Sequence, residues 1–369
     1  MEPFEGRIEA CQSTLSATGL ELAVLSPGRN LQYLTGIDKA PSERPFTLLV
    51  PATGEPAFVV PALEATQLTS DCWVDRVFTY NDTTDPFEVI DEALSDLGVS
   101  LTDGTIVAED TMWHAHLRRW RVAYPSVSIE LASSIFDPLR RQKDAAEIEA
   151  LRTVAHATDS VVDEIRSLGT DVIGWSEAEL AGAIENRLAD VGGSGVSFET
   201  IVGAGPNGAK PHHTHGDREI APGEPVVLDF GTRMEGYPSD QTRTVVFDGE
   251  PPSEVRNIHE IVLNAQQAAI AAIEPGVCAA TIDQAAREVI TAAGYGDAFI
   301  HRTGHGVGLA VHEPPYITAD NDHELQVGEV FSVEPGIYLP DQFGVRIEDL
   351  VVVTEDGYER LNRSNRALQ

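Results

Sequence analysis

The segment VVLDFGTRMEGYPSDQTRTVVF, residues 226 to 247, constrains the fold more than any other stretch of the chain. Two runs rich in β-formers flank a turn around Met234, Glu235 and Gly236, so the spacing predicts a β-hairpin. Centred between Met234 and Glu235, that hairpin sets Asp229 directly opposite Asp240. Cross-strand partners have Cβ atoms about 4.5 to 5.5 Å apart. Two carboxylates that close repel unless something positive lies between them, and a pair of divalent metals about 3.5 to 4 Å apart would supply it. Taken alone, the pair reads as two solvated acids on a very acidic hairpin.

The pair is not alone. Glu334, in FSVEPGIYLP, stands at the end of an apolar strand pattern, and Glu348, in FGVRIEDLVVV, lies inside another. Arg346 shares a strand face with Glu348 at the i, i+2 spacing and could by itself be the partner a buried carboxylate needs. The stretch HRTGHGVGLAVHEPP, residues 301 to 315, carries His301, His305 and His312 among three glycines, a pattern a helix tolerates poorly. Four carboxylates in strand contexts and one histidine in a glycine-rich loop make up the ligand set of an oxygen-rich two-metal centre.

These residues fall in the second of two expected domains, since 369 residues exceed one ordinary core. The first 130 or so residues alternate strand patterns (LELAVLS, FTLLV, AFVV, TIVAED, VSIEL) with helical ones near 85 to 97 and 111 to 122, which describes an α/β domain. From 144 the apolar period lengthens to three and four residues, with Asp144 placed to cap the new helix. The boundary therefore falls in IFDPLRRQK, dividing the chain into 1 to 138 and 139 to 369. Further helices are expected near 176 to 190, where GGSG ends the run, 253 to 273 and 281 to 293.

Composition excludes several function classes. Apolar runs are broken within about ten residues, too short to span a bilayer. The acidic start MEPFEGRIEA does not resemble a signal peptide, and Cys11, Cys72 and Cys278 form neither a CxxC pair nor a disulfide framework, so a reduced cytoplasm is expected. Acids number 59 and bases 25, for a net charge of -34, with -12 in residues 1 to 140 and -22 in the remainder. Lys39, Lys143 and Lys210 are the only lysines. A phosphate backbone would be repelled, which excludes nucleic acid as partner. Self-repulsion on this scale calls for concentrated counter-ions, so an extreme halophile is expected as the source.

The ordered series Asp229, Asp240, His305, Glu334 and Glu348, set in LDFG, SDQTRT, GHGVGLAVHEPP, VEPGIY and GVRIEDLV, resembles the pita-bread metallopeptidases, the prolidase, Xaa-Pro aminopeptidase and methionine aminopeptidase group. RIEACQSTLSATGLELAVLSPGRNLQYLTGI is similar to the start of the creatinase-type domain that precedes the catalytic domain in the proline-directed branch. The implied fold is α+β, a pita-bread catalytic domain behind a smaller α/β domain. Arg346 stands where methionine aminopeptidases carry glutamine, which favours the proline-directed branch, and Glu313 follows the second histidine where larger bacterial Xaa-Pro aminopeptidases tend to have aspartate.

The resemblance implies two divalent cations, Mn with Co or Zn as substitutes. Asp229 would chelate one, His305 and Glu334 the other, with Asp240 and Glu348 bridging, and a metal-bridging hydroxide would attack the bond before proline. Glu334 would also shuttle the proton, while His212, in GAKPHHTHGD, and His312 match positions that contact the peptide and its tetrahedral intermediate, with Arg346 beside the substrate. The glycines of GHGVGL would let backbone approach the substrate. His213 and His215 read as incidental loop residues, and His301 has no assigned role. The expected partner is a small peptide with proline second, and the expected assembly a homodimer. On the same scaffold stand a metal-dependent lyase or small-amide hydrolase, a metal-free creatinase-like amidinohydrolase and a non-catalytic binding protein. The last two should have a damaged ligand set, and here all five ligands are present.

Overall fold

The change of period near residue 144 coincides with a division of the chain into two compact units, Met1–Arg140 and Arg141–Gln369. A computed structural model describes residues 2–66, 68 and 72–369. In the first unit β1 (Leu22–Leu25), β2 (Thr47–Pro51), β3 (Ala57–Pro61), β4 (Arg76–Tyr80), β5 (Thr105–Ala108) and β6 (Ser128–Leu131) form one sheet in the order β4-β3-β2-β1-β5-β6. The β1–β2 and β2–β3 pairs are antiparallel and the remaining three parallel. Leu22, Val24, Leu49, Val59 and Ile106 pack there against Phe87, Ile90 and Leu94 of helix Pro86–Asp96 and Trp120 of helix His114–Ala123. The five expected strands are present. The pattern missed β4, whose side chains are mostly half-buried or exposed, and the helices Glu2–Thr18 and Arg29–Thr35.

In the second unit Asp144 caps the helix Ala145–Ser167 by accepting from Glu147 N, and the Glu147 side chain closes a reciprocal capping box. Ser176 and Glu179 do the same for helix Glu177–Asp190, which ends before Gly192 at φ 94°. A three-stranded antiparallel sheet, β7 (Ile201–Ala204), β8 (Val226–Phe230) and β11 (Gln241–Val245) in the order β11-β8-β7, lies beneath the apolar face of these helices. Between β8 and β11, the short β9 (Arg233–Met234) and β10 (Tyr237–Pro238) close the hairpin. A second sheet has the order β13-β12-β14-β17-β18, from β12 (Gly304–Gly306), β13 (Glu313–Ile317), β14 (Val330–Val333), β17 (Asp349–Thr354) and β18 (Gly357–Arg360). The ribbon β15 (Gly336–Leu339) with β16 (Phe343–Arg346) joins its core. Helices Ser253–Ala271 and Ala279–Ala292 bury Ile258, Val262, Ile282 and Ile290 against Phe331, Val333, Val345 and Val351.

Two sequence expectations are corrected here. The pairs Met234↔Tyr237 and Asp229↔Thr242 centre the hairpin between Glu235 and Gly236, one residue later than expected. Those two residues, at φ 52° and 86°, take the two positive-φ positions of a two-residue hairpin turn. Asp229 therefore faces Thr242, and Asp240 sits two residues before Thr242 on the same face, a diagonal neighbour of Asp229. Glu348, expected inside a strand, lies in a two-residue break between β16 and β17.

Candidate metal centre

Each residue of the series sits in a strand or just beyond a strand end, and long-range pairing brings them together. Asp229 is on β8, Asp240 precedes β11, His305 is the central residue of β12, Glu334 follows β14, and Glu348 fills the break after β16. Asp229, Asp240, His305 and Glu348 are buried, and the Glu334 side chain is 16% exposed. His305 Nε2 lies 3.5 Å from Asp240 Oδ2 and 3.4 Å from Glu334 Oε1. Ligand atoms of Asp240, His305 and Glu348 all fall within 4.8 Å of one another.

The protonation states decide what this cluster can do. His305 Nδ1 faces Gly306 O at 3.2 Å, and a carbonyl only accepts, so the proton is on Nδ1 and the Nε2 lone pair points at two carboxylates. Burial above all, then the neighbouring His312, pushes the His305 pKa down to about 3, so the ring is neutral. Burial likewise raises Asp240 and Glu348 well above the usual carboxylate range, and the charges of the other site acids add to it. Burial lifts Glu334 to about 7 against the opposing pull of Arg346. Asp229 Oδ1 and Glu348 Oε1 are buried with no hydrogen-bond partner among the described residues. Four acids and an imidazole lone pair aimed at one volume, with two buried oxygens left over, fit a cation and fit poorly without one.

The second layer is made by Arg346, 3% exposed. Its Nη2 pairs with Asp229 Oδ2 at 2.5 Å, its Nε donates to Thr242 Oγ1 at 3.1 Å, and Thr242 Oγ1 donates to Glu348 Oε2 at 2.8 Å. Arg346 Nη1 donates to Tyr338 OH at 2.9 Å and to Pro211 O at 3.4 Å. The buried Arg243 donates to the carbonyls of Thr242 and Glu348 and pairs with Asp349 at 2.7 Å, holding the break that carries Glu348. Arg346 therefore contacts Asp229 directly and reaches Glu348 only through Thr242.

The histidines divide differently from their reading in sequence. His312 is exposed and meets His305 edge to face, with ring centroids 4.2 Å apart. His212 is exposed on the loop after the 3-10 turn Gly205–Ala209, next to the Pro211 carbonyl that Arg346 holds. His301, unassigned in sequence, joins the second layer. Its Nδ1 donates to Arg302 O at 2.7 Å, which leaves Nε2 to accept from Tyr338 OH at 2.8 Å. Burial first, then Arg346, keeps its pKa down at about 4. Tyr338 stands in the quoted motif VEPGIY, but no spacing rule pairs it with a residue 37 positions away. His213 and His215 are not incidental: they bond Glu177 Oε2 and Thr200 O, each at 2.8 Å.

The glycines beside His305 are needed by the packing of the chain itself. A Cβ on Gly304 would lie 1.8 Å from Ser332 O, and one on Gly306 2.4 Å from Pro314 O. They admit the backbones of the flanking segments. Glu313, next to His312, pairs through Oε1 with Lys143 Nζ at 2.9 Å, with side chains 6% and 1% exposed. That buried ion pair fixes one end of the loop carrying His312.

Comparison with known proteins agrees with the geometry. Residues 149–355 match the model of metallopeptidase family M24, and residues 7–142 that of the creatinase/prolidase N-terminal domain. The chain is 40% identical over 365 residues to a probable dipeptidase PepE of Mycobacterium tuberculosis, covering 98% of this chain and 95% of that one. It is 38% identical over 366 residues to an Xaa-Pro dipeptidase of Lactobacillus helveticus, covering 98% of each. The crystal structure of a recombinant prolidase from Thermococcus sibiricus superposes with a TM-score of 0.93 at 37% identity, covering 99% of this chain and 98% of that chain. With a match over more than half its length and a buried donor set suited to divalent cations, the chain belongs to metallopeptidase family M24, in its two-domain form with a creatinase/prolidase N-terminal domain.

Proposed function

We propose that this protein is a dinuclear-metal peptidase that hydrolyses the peptide bond before proline in short Xaa-Pro peptides. The observation that carries the reading is the neutral His305, its Nε2 lone pair facing Asp240 and Glu334, beside the unpartnered oxygens of Asp229 and Glu348. The relatives named Xaa-Pro dipeptidase and prolidase support the choice of substrate within the family. When bound, divalent cations supply Lewis acidity and bring the pKa of a nucleophilic water toward neutrality. Asp229, Asp240, His305, Glu334 and Glu348 would hold them, and an oxygen-dominated set with one imidazole suits Mn, with Co or Zn as substitutes.

The chain's own groups divide the remaining work. Glu334, the site acid with a partly exposed side chain and 3.4 Å from His305 Nε2, is placed to take a proton from the nucleophile and return it to the leaving amine. Arg346 holds one oxygen of Asp229, leaving Oδ1 free as a donor. His312, against His305, and His212, on the loop held by Arg346, supply hydrogen-bond donors to the scissile carbonyl as its oxygen becomes negative. We further propose a salt-rich cytoplasm, in keeping with the net charge of -34. The substrate assignment is tested by loading the purified protein with Mn and comparing Xaa-Pro dipeptides, Xaa-Pro-Yaa tripeptides and proline-free controls. Turnover only of the proline peptides is expected; equal turnover of the controls would refute it.

A further inference from the structure

We infer that Glu177 is a positioning residue for His212, acting through the loop 204–216. The inference rests on the placement of His212 at the substrate proposed above. Glu177 is the first residue of its helix, and its side chain is fully buried. One carboxylate gathers both ends of the loop. Oε1 accepts from Ala204 N at 2.9 Å and Asn207 Nδ2 at 3.0 Å, while Oε2 accepts from His213 Nε2 at 2.8 Å and Gly216 N at 3.2 Å. Every partner donates, which is the arrangement that lets a charged carboxylate stay buried.

The loop needs such a fastener because its middle is also built to close tolerance. A Cβ on Gly344 of β16 would lie 2.0 Å from Gly208 O, so the turn is seated directly on that strand. Pro211 O is held by Arg346 and His213 by Glu177, so His212 lies between two tethered neighbours while its own ring stays exposed. A residue fixed on both sides and free at its tip can meet a substrate without first being ordered, which is the advantage of a pre-organised site. Glutamine in place of Glu177 would turn an amide N–H2 toward donors, and the loop would lose its hub without losing volume.

A double-mutant cycle separates positioning from general support of the fold. Glu177→Gln should lower kcat by about tenfold or more with KM changed less, yet lower it further by less than about twofold in the His212→Ala background. His213→Ala should follow Glu177→Gln, and His213→Gln, which keeps a donor, should recover most of the loss. Metal content by plasma mass spectrometry and the melting temperature are measured in every variant, and metal content should not change. Should Glu177→Gln fail to fold, His213→Ala carries the same cycle. Losses that multiply fully in the His212→Ala background would overturn the inference while leaving the role of His212 intact. Wild-type turnover in His212→Ala itself would remove that role and this inference with it.

Discussion

The two units bury charge in different ways. In the first unit each buried acid has its own small set of partners. Glu64 pairs with Lys39 at 3.1 Å, and Glu109 accepts from Asn30 Nδ2 at 3.2 Å, with Asn30 in turn bound by Arg140 at 2.9 Å. The second unit has pairs of that kind too, among them Lys143 with Glu313 and Arg243 with Asp349, but it also crowds Asp229, Asp240, Glu334 and Glu348 around His305 with one guanidinium, Arg346, in contact with Asp229. The first unit keeps its strands in one sheet; the second interrupts them, and Asp240, Glu334 and Glu348 stand at the interruptions. An acid buried apart from others, as Glu109 is, can meet burial by holding its proton, whereas four acids that converge from four segments on one imidazole lone pair fit a cation from outside the chain.

The comparison breaks most visibly at the crowded site. Glu334→Gln or Asp240→Asn should lower kcat by about 10³-fold or more, and excess chelator should abolish turnover that Mn or Co restores. Full activity in chelator, with no divalent ion found by plasma mass spectrometry, would mean that the acids are held by protein groups alone. Next in size is the ion pair built like those of the first unit. Lys143→Met leaves Glu313 charged and buried, and should cost about 3 to 5 kcal/mol in urea unfolding, a cost that Lys143→Met with Glu313→Gln largely restores.

Glu109 tests the first unit through pH. Burial raises its pKa from 4.5 to about 7, so between those values the folded chain keeps a proton that the unfolded chain has released. Its stability contribution is therefore full below pH 4.5 and declines as pH rises toward 7, by up to about 3 kcal/mol. Glu109→Gln should stabilise the first unit at pH 8 and change little at pH 4.5. Tryptophan fluorescence reports on this unit, since Trp73, Trp113 and Trp120 are three of the four tryptophans. An equal effect at both pH values would show that Glu109 stays ionised in the fold.

His312→Ala is expected to lower kcat by about 10²-fold while metal content stays at the wild-type value, because its ring meets His305 rather than the acids. Loss of metal from that variant would move His312 into the ligand set. The smallest effect concerns both units together. With -34 spread over the chain, molar KCl shortens the Debye length from about 8 to about 3 Å and should raise the melting temperature by several degrees at saturating Mn. A flat or falling melting temperature would show that the acidic excess does not oppose folding.

Much of this was legible in the sequence because it is local. The cap at Asp144, the apolar period of the helices and the β-rich runs depend on residues a few positions apart, and the structure shows them where the pattern placed them. All five residues of the series also converge, four of them from segments read as strands and His305 from a stretch read as a glycine-rich loop that the structure shows to be the short strand β12. Local reading failed where a single backbone angle or a distant partner decided. It misplaced the hairpin centre by one residue because φ 52° at Glu235 is uncommon for a residue with a side chain, and it ran a strand through Glu348.

The sequence by itself determined which acids and histidines are available, the segments they occupy and the charge that surrounds them. Only the tertiary structure decided their chemistry. The bond from His305 Nδ1 to Gly306 O selects the tautomer, the chain from His301 through Tyr338 and Arg346 to Asp229 orients a carboxylate, and Glu177 gathers a loop whose donors lie 27 to 39 residues away. Periodicity and capping are set by neighbours in the chain, but the protonation of a buried group is set by whatever packing brings within a few ångströms of it, and packing joins residues that no local pattern relates.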